Sequence, residues 1–108
     1  MEIYFCPSPL VNEHTVSAGE MVAAFAKENN LATLVGTETA GRLIPGSGFK
    51  IGFGYMLIMP KAAYVSWLGN SFEGYGLAPD VAEPWRPDDL EGGRDNQLAA
   101  ATRRLLST

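Results

Sequence analysis

Val11-Asn-Glu-His-Thr-Val-Ser-Ala-Gly-Glu20, continued by Met21-Val-Ala-Ala-Phe-Ala-Lys-Glu28, Asn29-Asn30 and Leu31-Ala-Thr-Leu-Val-Gly36, runs from an apolar end through a polar bend into helix formers and out into a second apolar run. Asn12 to Thr15 is the bend, and Ser17 to about Glu28 reads as a helix with Met21, Val22 and Phe25 sharing a face. Asn29-Asn30 is a helix stop, and Leu31 to Val35 a buried strand ended by Gly36. Strand, helix and strand over so few residues predict a parallel crossover, because parallel strands need a connection of helical length.

Upstream, Ile3 to Phe5 and Pro9 to Val11 read as one strand interrupted by prolines, which cannot donate to a ladder. Downstream, Thr37 to Gly48 is turn-rich, and Phe49 to Trp67 is mostly extended with an expected break at Pro60-Lys61. Gly69-Asn70 is a turn, Leu77 to Val81 a proline-marked edge, and Pro84 to Gly93 a polar connector. Asp95 is placed to cap a final helix carrying Leu98, Ala101, Leu105 and Leu106, with Arg103 and Arg104 where cations suit the helix dipole. The fold class expected is α/β, with one crossover helix and one C-terminal helix.

Composition bounds the function. At 108 residues the chain is expected to be a single domain, residues 1–108, and 46% apolar content supports a core of modest size. No apolar run reaches the length that spans a bilayer, and no export signal is visible at the N-terminus, so localisation stays open. A net charge of −4 with 8 Lys and Arg residues gives no reason to expect nucleic-acid binding. One cysteine, Cys6, and one histidine, His14, supply neither a disulfide framework nor a zinc cluster, so no metal or cofactor is expected. The glycines from Gly36 to Gly48 make no phosphate loop, because no Gly-Lys-Ser/Thr follows.

Ser17 has two readings. A serine where a strand gives way to a helix can expose its hydroxyl beside the unpaired first N–H groups, here that of Ala18, which is the physics of a nucleophile with half an oxyanion hole. Ser17-Ala-Gly-Glu20 is equally a capping box, and on local pattern alone caps are far commoner.

Four stretches in order change that balance: Ser17-Ala-Gly-Glu20 opening an apolar helix, Ala32-Thr-Leu-Val-Gly-Thr-Glu-Thr-Ala-Gly41, Glu73-Gly-Tyr-Gly-Leu-Ala-Pro-Asp80, and Asp95-Asn-Gln-Leu98 opening the last helix. Together they resemble the serine peptidases of the carboxyl-terminal processing (tail-specific) and tricorn-core family, over about Val11 to Leu106. The resemblance implies the C-terminal half of a catalytic domain with a partial ClpP/crotonase-like core. It implies Ser17 as nucleophile, the Ala18 N–H as part of the oxyanion hole, and polypeptide as substrate, hydrolysed through an acyl-enzyme. The tail-specific branch places a lysine base where this chain has Arg42, and a guanidinium does not give up its proton. The tricorn-like branch uses a histidine from the other half of the domain and a glutamate, whose position falls near Glu73. A turn carboxylate in solvent is the competing reading of Glu73.

Other residues have plainer readings. His14 lies on the polar bend and reads as a loop histidine, and Lys50 and Lys61 read as surface or substrate-facing. Met56, Met59, Tyr64 and Trp67 suit either a core or a hydrophobic ligand pocket. The alternatives to a peptidase are therefore a non-catalytic module binding hydrophobic ligands or peptides on the same scaffold, or an inactive half-domain. An isolated half-domain is expected to self-associate or to pair with a missing N-terminal half, because exposed sheet edge and apolar face favour it.

Overall fold

The computed structural model describes residues 7–107. The Ile3–Phe5 arm of the expected strand, and Cys6, lie outside them. The elements run β1 (Leu10–Val11), α1 (Ala18–Glu28), β2 (Val35–Gly36), β3 (Gly46–Gly52), β4 (Tyr55–Pro60), β5 (Val81–Ala82), α2 (Pro87–Glu91) and α3 (Asn96–Leu106).

The expected crossover is present: β1 and β2 pair in parallel, and β5 adds in parallel to the other side of β2. The strands are formally short, but backbone bonds continue the ladder. Thr33, Val35 and Thr37 donate in turn to the carbonyls of Pro7, Pro9 and Val11, at 3.1, 3.0 and 2.9 Å. Side chains alternate faces along a strand. Leu34 therefore packs with Val11, Ala23, Ala24 and Leu77 on the α1 side, while Val35 packs with Ala100, Ala101 and Val81 on the α3 side. The result is a thin parallel sheet between two helices.

The face α1 turns inward differs from the expectation. Its buried residues are Glu20, Ala23 and Ala24, whereas Val22 and Phe25 are exposed and Phe25 meets Trp67 edge to face at 5.8 Å. Small residues let the helix backbone lie close to the sheet, and the larger ones fall on the outer side. The same holds for α3, where Ala100 and Ala101 are buried and Leu98, Leu105 and Leu106 are not. Asp95 caps α3 as expected, accepting from the Leu98 N–H at 2.9 Å.

Two further expectations are corrected. The extended stretch reverses at Phe53-Gly54, not at Pro60-Lys61, and no strand follows Pro60 before β5. Both turn residues have positive φ (52° and 81°), the requirement of a tight two-residue hairpin, and Phe53 carries no sequence signal for it. The polar connector also holds a short helix, α2, begun by Pro87 and closed by Gly92 and Gly93.

The β3–β4 hairpin projects from the rest. Every residue of β4, and all of β3 except Ser47, is exposed. The radius of gyration is 17.4 Å, against about 13 Å for a compact domain of this length. Among the described residues no helix is long and apolar enough to cross a membrane.

Candidate active site

Ser17 sits at the N-cap of α1 with φ 50° and ψ −119°. An ordinary N-cap is extended, as Asp95 is at φ −101° and ψ 106°. The backbone at Ser17 is thus in a region that L-residues avoid, and such strain persists only where surrounding bonds over-determine it. Here the Ser17 N–H is bound twice, to the Arg42 carbonyl at 2.9 Å and to Glu20 Oε2 at 3.1 Å. Ser17 and Glu20 form a capping box, the serine side chain facing the Glu20 N–H and Glu20 Oε2 accepting from the Ser17 N–H. The side chain stands exposed. The next residue, Ala18, is also exposed, and among the described residues no acceptor meets its N–H.

Glu20 is the centre of the arrangement. It is fully buried, yet no cation pairs with it among the described residues. Its Oε1 accepts from the Thr39 hydroxyl at 2.6 Å and the Gly41 N–H at 2.7 Å. Its Oε2 accepts from the Arg42 N–H at 2.9 Å and the Ser17 N–H. Burial alone pushes this carboxyl up. The bonds from Thr39, Arg42, Gly41 and Ser17 together outweigh burial and hold it below its usual value. Thr39 is itself fixed, its hydroxyl accepting from the Leu77 N–H at 2.7 Å.

Glu73 acts on the next two residues of the same loop. Its Oε2 accepts from the N–H groups of Leu43 at 2.6 Å and Ile44 at 3.0 Å. Four consecutive backbone N–H groups, 41 to 44, are therefore held by two carboxylates. Glu73 is half-buried and structurally engaged, not a free turn carboxylate in solvent. Its Oε1 carries no hydrogen bond among the described residues.

The loop also lies against the 72–77 turn, where Gly74 N–H donates to the Gly41 carbonyl at 2.8 Å. A Cβ on Gly76, which has φ 80°, would fall 2.2 Å from the Thr39 carbonyl oxygen, so only glycine fits.

The other candidates stand apart. The Arg42 side chain is exposed and makes no ion pair among the described residues; only its backbone joins the site. His14 is exposed, held by its own N–H to Asn12 Oδ1, with Nε2 3.8 Å from Glu13 and no bond to Ser17. Lys50 and Lys61 are exposed in and beside the hairpin. Met56, Met59 and Trp67 are exposed as well, so neither the core nor the pocket expected of them is formed. A concavity along α3, lined by Arg86, Asp89, Asn96 and Arg103 among others, includes none of the Ser17 group.

Sequence reasoning placed Glu20 in a cap and passed over Thr39. Thr37-Glu-Thr-Ala-Gly41 held the signal: a hydroxyl two residues before a glycine that must lie flat against another turn.

Known proteins supply an independent view. The model of Peptidase family S41 matches residues 8–83. Tricorn protease homolog 1 of Streptomyces coelicolor is 36% identical over 102 residues, covering 91% of this chain and 9% of that protein. A carboxyl-terminal-processing protease of Picosynechococcus is 33% identical over 78 residues, 72% of this chain and 19% of its own length. In three dimensions the crystal structure of the tricorn protease superposes with a TM-score of 0.81 at 29% identity, over 91% of this chain and 10% of that one. The photosystem II D1 C-terminal processing protease superposes at 0.65 and 29% identity, over 77% and 22%. The chain thus spans about a tenth of the tricorn relatives and about a fifth of the processing proteases.

Proposed function

This chain belongs to peptidase family S41, and from that premise we propose that it is the nucleophile-bearing part of a serine-peptidase catalytic domain. The observation that carries the reading is the backbone of Ser17. A residue held at φ 50° between β1 and α1, with an exposed side chain and followed by an N–H that meets no acceptor among the described residues, is what a nucleophile turn requires.

The chemistry is acyl transfer. Ser17 Oγ attacks the carbonyl carbon of a peptide bond as its proton passes to a base. The Ala18 N–H donates to the oxygen as it gains charge, adding to the field of the helix N-terminus. The intermediate collapses, the C–N bond breaks, and the amine leaves with the proton. Water then hydrolyses the acyl-enzyme by the reverse of these roles. The substrate class is polypeptide.

No described histidine or lysine lies in hydrogen-bond contact with Ser17, and Arg42 cannot serve. The base is supplied by another polypeptide segment, and Glu73 Oε1, which has no hydrogen bond among the described residues, lies beside the 41–44 loop where it can orient that base. On this reading the parallel sheet flanked by α1 and α3 is a partial ClpP/crotonase-like core, and residues 1–108 are the C-terminal half of the domain.

The hairpin is the contact that segment uses. The accessible surface is 7739 Å², roughly 1,900 Å² more than the ~5,800 Å² expected of a compact chain of this mass. A standard protein interface takes only about 800 Å² from each partner. Phe49, Leu57 and Met59 line one face of the hairpin and Met56 and Ile58 the other, so both of its faces expose apolar side chains.

A fluorophosphonate probe, applied to the protein as isolated from its native source together with the segment that supplies the base and read by mass on the Ser17 polypeptide, tests the proposal. One adduct on the wild type and none on Ser17→Ala supports it; equal labelling of both, or none at millimolar probe, overturns it. A second reading rests on the hairpin alone: a module that binds hydrophobic ligands. Saturable binding of a lipophilic fluorophore, unchanged in Ser17→Ala and without labelling of Ser17, would favour that one.

A further inference from the structure

We infer that Glu20 is a positioning residue for the Ser17 nucleophile, holding its backbone in the reactive conformation by tying it to the 39–42 loop. The inference rests on the reading of Ser17 as nucleophile.

The argument is geometric. An N-cap serine relaxes to extended backbone when nothing opposes it, as Asp95 shows at the start of α3. Ser17 does not relax because its N–H is fixed from two directions. One acceptor is the Arg42 carbonyl, and the other is a carboxylate that also binds the Arg42 N–H. Glu20 Oε2 thus bridges the nucleophile and the loop residue opposite it. Glu20 Oε1, bound to Thr39 and Gly41, anchors the carboxylate so that Oε2 cannot swing away.

The side chain comes from the first turn of α1, so it measures the position of Ser17 against the helix and the loop together. A cap alone needs only the Ser17 bond. A carboxylate that merely stabilised the fold would not need to be shared between these two N–H groups. Glu20 does not touch a substrate; it acts through Ser17 and the Ala18 N–H that follows it.

Glutamine at this position keeps the shape but turns one oxygen into an NH2 that faces N–H donors. In Glu20→Gln, fluorophosphonate labelling of Ser17 is expected to slow by about 100-fold, the penalty typical of a misplaced reacting group. Thr39→Val removes one anchor of Oε1 and is expected to slow labelling about fivefold, the worth of one ordinary hydrogen bond. Thr39→Ser, which keeps the hydroxyl, is expected to restore the wild-type rate.

Asp95→Ala serves as the comparison, because it destabilises the remote helix α3 without touching this network. Its labelling is expected to match the wild type at a temperature where circular dichroism shows each variant folded. Labelling of Thr39→Val that equals that of Asp95→Ala, or of Glu20→Gln within threefold of wild type, overturns the inference. Should Glu20→Gln not fold, the Thr39 pair and Asp95→Ala decide alone. A wild type that does not label at all with the base-supplying segment present defeats the nucleophile reading, which is a separate outcome.

Discussion

The Ser17 region and the β3–β4 hairpin are built on opposite plans. Around Ser17 the ordering groups are polar: Glu20 and Glu73 bind four successive N–H groups, and at the far end of α1 Glu28 holds the 66–70 loop in the same way through Ser66, Leu68 and Asn70. In the hairpin nearly every side chain between Phe49 and Met59 is apolar, and nearly every one is exposed. Hydrophobicity therefore does not mark the ordered part of this molecule. What orders the site is satisfied backbone donors, and a carboxylate with two oxygens can satisfy several at once.

The largest effect expected on that contrast comes from Glu20→Ala. It leaves the Thr39 hydroxyl and the Gly41 and Arg42 N–H groups without their acceptor in a buried site, a loss of roughly 3–5 kcal/mol, a large share of the ~5–15 kcal/mol that holds a small domain folded. Urea unfolding followed by circular dichroism measures it. The same variant sharpens a pH prediction. Because the folded protein holds the Glu20 carboxyl below its usual value, its contribution is complete above the unfolded value near 4.5 and disappears as pH falls through the folded one. Wild-type stability should fall steeply across that acid window, and the Glu20→Ala curve should be flatter there.

Next in size is Gly76→Ala, expected to cost about 2–3 kcal/mol because the added Cβ meets a backbone oxygen at positive φ. Ser17→Gly should move the other way. Relieving φ 50° is expected to raise the unfolding free energy by about 1 kcal/mol while abolishing fluorophosphonate labelling. A stability gain with loss of reaction would separate a strained nucleophile from a simple cap, whose replacement by glycine costs a few tenths of a kcal/mol.

The smallest effect is expected in the hairpin. Met56→Thr with Ile58→Thr should change stability by less than about 0.5 kcal/mol in the isolated chain, as exposed substitutions do. The same pair should lower self-association in sedimentation at high concentration. A stability loss of core size would show that the hairpin is covered and would erase the contrast between the two regions.

Much of the fold was legible because its signals are local. Ser17 and Asp95 mark helix starts by their caps, and the apolar run before Gly36 marks a strand. The spacing between them is enough to make β1 and β2 parallel. The hairpin turn was not legible, since Phe53 at φ 52° follows no residue preference and is imposed by closing β3 onto β4. The buried faces of α1 and α3 were misjudged for a related reason. Large apolar residues were expected inside, but a thin sheet with closely packed helices has room for alanine.

By itself the sequence determined the first strand–helix–strand crossover, the capped last helix and the family, and it placed the reactive candidate at Ser17. Caps, periodicity and short motifs depend on residues within a few positions of one another. Only the tertiary structure decided what Glu20 does. Its partners Thr39, Gly41 and Arg42 lie some twenty positions away, and Leu77, which fixes Thr39, lies farther still. A carboxylate near a helix start looks the same in sequence whether it closes a cap or holds a nucleophile in place. The difference is made by which distant N–H groups the fold brings to its oxygens.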